Sequence, residues 1–345
     1  MSHHTNIHVD QTFNVGVNPA GMAITPDDKY AYVANSNNYS IPGSDTVTVL
    51  DLKKGLVKTT IHHPSFDGPY RIAIDDCGKF AYVCNSESPR IQGLPGTLSI
   101  IDIKQNQVVG TISGFDGPGG IVISKNIGYV VNYGADGGLV SGNGKTVSVV
   151  DLKQRRIINT INVDLAPAAL ALSPCHKFLY VVCYVDGKPG TGKLNVISTK
   201  SHRIITTVSG LFGPFGIDVT KDGMFAYVTN FGSNDFAPYG TNVSVVDLHD
   251  YRIVKNIEVG IQPSGIVVGD HFAYVSCFNE LYAKSNFQQL TAGESTVNVI
   301  SLKCKKVVAP AIPIGQTGST LSLTHNGKKL YVCKYVQNTV ARLSV

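Results

Sequence analysis

Three observations predict an all-β chain folded as a seven-bladed β-propeller of four-stranded antiparallel blades. A Tyr-Val-x-x echo recurs at Tyr32, Tyr82, Tyr129, Tyr180, Tyr227, Tyr274 and Tyr331, at intervals of 50, 47, 51, 47, 47 and 57 residues. A fixed period of this size marks an array of one supersecondary unit. Each unit carries runs of four to eight β-branched and apolar residues bounded by turn residues, which are strands and not helices. The last unit stops one strand short, and the first residues of the chain resemble the strand it lacks.

The four strands follow in a constant order. A corner at Pro19, Pro69, Pro118 or an equivalent leads into an apolar first strand, such as Gly21 to Ile24. A tight turn such as Thr25 to Lys29 precedes the Tyr-Val strand. After a loop, a third strand alternates and ends on Asp, as in Thr46 to Asp51 and Thr146 to Asp151. A polar turn then opens the fourth strand, as in Arg156 to Ile161 and Arg203 to Val208. Four antiparallel strands per roughly 40 to 50 residues make one propeller blade. The segment Asp10 to Gly16 matches the ending of other fourth strands, such as Asn256 to Gly260, so it is expected to complete the last blade. Ring closure of this kind removes a long unpaired strand edge.

The repeat fills all 345 residues, which reads as a single domain over 1–345. Blades are expected near 17–66, 67–115, 116–164, 165–211, 212–260, 261–315, and 316–345 joined by 5–16. No apolar run reaches the roughly 18 to 20 residues of a membrane helix. The start lacks a basic region followed by an apolar one, so a cytoplasmic monomer is expected; non-classical export and a processed mature chain are the alternatives. Seven cysteines, an odd number without metal-ligand spacing, read as reduced, buried small hydrophobes. No metal and no cofactor is expected.

These motifs resemble those of the YVTN-repeat family of seven-bladed β-propellers over essentially the whole chain. The resemblance implies the fold. It leaves function open, since that family includes surface-layer, periplasmic and binding proteins, and similar propellers include lactonases and quinoprotein-like enzymes. The sequence departs from the consensus Asn of the echo at Cys183, Cys277 and Lys334, where the hydrogen bonds of that Asn are expected to be missing.

Up-and-down connectivity places the second-to-third loops and the inter-blade corners on one rim, here the upper one. The lower turns are short. The upper loops are long, and loops on a rigid scaffold are where binding usually resides. Upper loops and corners carry ten Asp/Glu and six Lys/Arg; the lower turns carry twenty-one Lys/Arg and eleven Asp. A basic face could meet nucleic acid or an anionic surface, yet it lacks interleaved aromatics, and Lys is common in solvated turns.

Candidate ligand-binding residues are Tyr39, Tyr70, Arg71, Arg90, Tyr133, Tyr184, Phe215, Asp218, Phe236, Tyr239 and Tyr282. They lie in the upper loops, at the corners or on the inner strands. Two residues past each corner stand Gly21, Arg71, Gly120, Ala169, Gly216, Gly265 and Thr320. Two further on stand Ala23, Ala73, Val122, Ala171, Asp218, Val267 and Ser322. Small residues there allow close blade packing. Arg71 and Asp218 break the rule, and such charges must be paired or reach water. They are either a ligand anchor or a structural network. No nucleophile-elbow, zinc-helix or phosphate-loop pattern appears.

The function these residues favour is a non-enzymatic scaffold that binds a protein or other extended ligand on the upper face. An alternative is a lactonase-like hydrolase with Arg71 and Asp218 as catalytic residues. A further one is nucleic-acid binding by the basic lower face.

Overall fold

The computed structural model describes residues 7–36, 45–86, 95–134, 143–233, 238–279, 281–282, 289–291 and 293–345. Seven antiparallel sheets form seven blades. Their inner strands are Pro19–Ile24, Pro69–Ile74, Pro118–Ser124, Pro167–Leu172, Pro214–Val219, Pro263–Val268 and Gly318–Leu323. Each packs beside the next, and that of blade 7 packs beside that of blade 1, which closes a ring. No helix occurs among the described residues, so none there is long and apolar enough to cross a membrane.

The core lies in the seams between blades. Strand alternation sends successive side chains to opposite faces, and each face meets a neighbouring blade. One cluster joins Tyr129, Val131, Val147 and Val149 of blade 3 to Leu170, Leu179 and Val181 of blade 4. All seven echo tyrosines are buried. Tyr32 shows their use: its hydroxyl meets Asn106 Oδ1 (2.6 Å) and the carbonyl of Ile103 (3.2 Å) in a lower turn of blade 2.

The ring closes where expected. Val9–Asn14 pairs with Thr339–Ser344 and completes blade 7. Phe13 is 4% exposed and packs against Tyr331 in a cluster shared with Met22 and Val33 of blade 1. Asp10 accepts hydrogen bonds from Arg342 (2.6 Å), Lys329 (2.8 Å) and Ser344 (2.5 Å). Burial alone would raise its carboxyl, but those bonds bring it down to about 2.

Three details depart from the sequence reading. The outer strand of blade 6 is split into Lys306–Val307 and Ile312–Gly315. Pro310 and Pro313 fall in this stretch, and proline cannot donate to a ladder. The upper loop of blade 6 contains a small ladder, Leu281–Tyr282 with Gln289–Thr291. Finally, Cys84, Cys183, Cys277 and Cys333 are buried as expected, but Cys77, Cys175 and Cys304 are exposed in lower turns.

Candidate functional site

The upper rim is built by a device repeated in every blade. The residue before each inner strand is left-handed: Asn18 (φ 52°), Gly68 (61°), Gly117 (62°), Ala166 (54°), Gly213 (47°), Gln262 (52°) and Thr317 (49°). Glycine takes this conformation freely, whereas the other types are strained there. Each of these carbonyls accepts the backbone N–H of the residue that follows the echo: Ser36, Ser86, Tyr133, Tyr184, Phe231, Phe278 and Tyr335. The corner thus fixes where the upper loop departs.

In five consecutive blades, 3 to 7, the residue held in this way is aromatic. Tyr184 and Phe231 are buried at 2% and 5% exposure, while Tyr133, Phe278 and Tyr335 are half-buried. Phe231 lies 5.7 Å from Phe278 and 5.4 Å from Phe215 of the corner, centroid to centroid. These rings form an aromatic crescent around the upper mouth. Tyr335 was missed from sequence because its loop is short. Its place directly after the echo was the signal that could have found it.

In blades 3 to 6 an asparagine ties the corner to its own blade, whereas in blades 1 and 2 the Oδ1 atoms of Asn35 and Asn85 are buried without a partner among the described residues. Asn132 accepts from the Asp116 N–H (3.4 Å) and donates to Thr146 and Ser148. Asn230 accepts from Phe212 N–H (3.0 Å). Where Cys183 replaces this residue, the bonds are kept and not lost. Asn195, one strand outward, accepts from the Asp164 N–H and donates to Asp164 Oδ2 and Thr207. In blade 6, Asn279 accepts from the Ile261 N–H (2.7 Å) and donates to Thr296. The amide has moved to another position that can reach the same corner.

Of the expected site residues, Tyr70, Arg71, Phe215, Asp218, Tyr133, Tyr184 and Tyr239 are described, and all but the buried Tyr184 are half-buried. Tyr39, Arg90 and Phe236 lie outside the described residues, as does the side chain of Tyr282. Arg71 stacks near Tyr70, its Cζ 5.0 Å from the ring centre. No hydrogen bond or ion pair joins Arg71 to Asp218, so the two inner-strand charges do not form one constellation.

Asp218 is occupied by backbone. Its Oδ1 accepts from the Val219 N–H (2.8 Å) and its Oδ2 from the Val268 N–H (2.7 Å) of the next blade. The residue as a whole is half-buried, but its carboxyl end is turned into the seam. Burial pushes the carboxyl up to about 6, opposed by those two amides. The folded chain therefore holds this proton more tightly than the unfolded chain, whose carboxyl titrates near 3.8. Below that value the contribution of the protonated group is whole. As pH rises from about 4 through about 6, its contribution to stability falls, and it stays at the lower level above. Wild type should lose melting temperature relative to Asp218→Asn across that window. A difference that stays flat between those pH values would show that the carboxyl is not desolvated.

The seams around Asp218 carry other polar staples. Thr229 Oγ1 bonds the Ser264 carbonyl (2.9 Å), Ser276 Oγ that of Ser319 (2.6 Å), and Thr320 Oγ1 that of Ala20 (2.6 Å). These hydroxyls tie each blade to the inner strand of the next, from blade 5 round to blade 1. In the upper corner of blade 4, Lys193 pairs with Asp164 at 2.8 Å.

The chain and its upper mouth define a seven-bladed β-propeller with an aromatic rim. No family model matches the chain, and no curated protein matches it. Among solved structures, the Kuenenia stuttgartiensis hydrazine synthase is similar, with 19% identity and a TM-score of 0.75 over 100% of this chain and 99% of that one. At that identity the likeness shows the fold alone.

Proposed function

We propose that this protein is a non-enzymatic recognition scaffold of the YVTN-repeat kind, which takes a protein or other extended ligand across its upper face. The observation that carries this reading is the aromatic crescent Tyr133, Tyr184, Phe231, Phe278 and Tyr335, held at equivalent positions in five successive blades. Its three partly exposed rings, Tyr133, Phe278 and Tyr335, are the groups that would anchor a partner, with the buried Tyr184 and Phe231 packed behind the rim. Asp218 supports binding over turnover, because both of its oxygens already accept backbone amides and neither is disposed as a general base.

The test is affinity capture from the host with two folded variants. Tyr133→Ser, Phe278→Ser and Tyr335→Ser combined should weaken capture at least about tenfold, as loss of interface anchors does. Lys104→Gln, Lys153→Gln and Lys303→Gln combined, on the lower face, should leave it unchanged. The reverse pattern would replace this reading with the basic lower face. Turnover of a sugar lactone that dies on Asp218→Asn would replace it with a hydrolase.

A further inference from the structure

We infer that the upper mouth of the channel holds an oxyanion, a carboxylate or phosphate group of a small ligand, on the guanidinium of Arg71. This goes beyond the scaffold reading and needs no macromolecular partner. In the other six blades the matching residue is Gly21, Gly120, Ala169, Gly216, Gly265 or Thr320. Only blade 2 places a long side chain there. The register skip at this corner recurs in all seven blades, so what sets blade 2 apart is the length and charge of the side chain.

The contacts of Arg71 fix where its head lies. Nη1 donates to Thr320 Oγ1 of blade 7 and to the Ala20 carbonyl of blade 1 (3.4 Å). Both acceptors belong to inner strands, so the side chain passes the inner strand of blade 1 on its axial side. Its start two residues below the corner keeps it near the upper rim.

The charge is the reason to expect a ligand. Thr320 and Ala20 are neutral acceptors, and they engage one of the three guanidinium nitrogens. Among the described residues no carboxylate stands within ion-pair distance of Arg71. Lys193, Lys329 and Arg342 show the contrast, since each holds a carboxylate at 2.6 to 2.8 Å. A half-buried permanent cation without a counter-charge is costly. An incoming oxyanion relieves that cost and matches the forked geometry of Nε and Nη2. The Tyr70 ring lies beside the guanidinium and keeps it oriented.

The experiment is calorimetric titration of the isolated protein, in a chloride buffer, with inorganic phosphate and separately with succinate. Wild type should bind one or both saturably in the millimolar range, and the stronger of the two identifies the group. Arg71→Gln should weaken that binding about tenfold or more, as loss of a charge-assisted contact does. Arg71→Lys keeps the charge but not the fork, and should fall between. Circular dichroism establishes that each variant is folded. If Arg71→Gln does not fold, Arg71→Lys carries the test, and unchanged affinity in it overturns the inference. Equal binding by wild type and Arg71→Gln, or no saturable binding of either probe, also overturns it. Unchanged partner capture by the Tyr133, Phe278 and Tyr335 variant, with intact oxyanion binding, would sink the scaffold reading alone.

Discussion

Removal of residues 1–14 is expected to abolish the cooperative thermal transition, because it opens the ring at blade 7. The deleted strand supplies the outer edge of that blade from Val9 to Asn14. It removes Phe13, whose truncation to Ala alone should cost about 3–5 kcal/mol. It also strands Arg342 and Lys329, which lose the Asp10 carboxylate. Domain stability is only about 5–15 kcal/mol in total, so these losses reach its scale. A synthetic peptide covering residues 7–16 should restore the transition when added to the truncated chain. A truncated protein that melts within a few degrees of wild type would show that the clasp is dispensable. Acid should loosen the same clasp in the intact chain. Asp10 is held at about 2 when folded and titrates near 3.8 when unfolded. Its contribution is present above the second value and is lost as pH falls through the first.

The second large effect concerns one chemical change at two equivalent positions. Gly265→Ala should destabilise strongly, whereas Gly120→Ala should be nearly neutral. A Cβ on Gly265 would lie 2.3 Å from the Ser319 carbonyl oxygen and 3.0 Å from Ser276 Oγ. The obstacle is backbone of the next blade, so the seam itself must open. Opening it stretches the bond from Ser276 to Ser319. Overpacking costs typically about 1–3 kcal/mol and more where backbone must move. On Gly120 the same atom would meet Leu170 Cδ2 at 3.4 Å and Val131 Cγ2 at 3.5 Å, which is ordinary contact. Chemical denaturation of the two variants gives the comparison. Equal losses at both positions would mean that the seams are not set by these glycines.

Much of this architecture was legible because its determinants are local. The echo, the corner prolines and the period-two strands each specify their own geometry, and seven copies fix the count. The matching end of Asp10 to Gly16 gave away the closure. Arg71 and Asp218 stood out because every equivalent residue was small or apolar.

What stayed hidden depends on contacts distant in sequence. Nothing near Asp10 shows that it meets Lys329 and Arg342, more than three hundred residues away. The amide that ties the corners of blades 3 to 6 shifts to Asn195 or Asn279 without a local signature, since several positions reach the same N–H group. For Asp218 the sequence left a ligand anchor and a structural network equally open, because its partners are backbone amides, and these leave no mark in side-chain chemistry. The aromatic crescent was seen only in pieces, as loop aromatics, because its common feature is a bond to the corner carbonyl.

The upper-face account is tested most directly by hydrogen exchange on the protein with and without its captured ligand. Protection is expected around Tyr133, Phe231, Phe278 and Tyr335, where the corner bonds hold the rim, with the lower turns at Asp75 to Lys79 and Ser301 to Lys306 unchanged. Protection confined to those lower turns, with the rim exchanging as in the free protein, would contradict it.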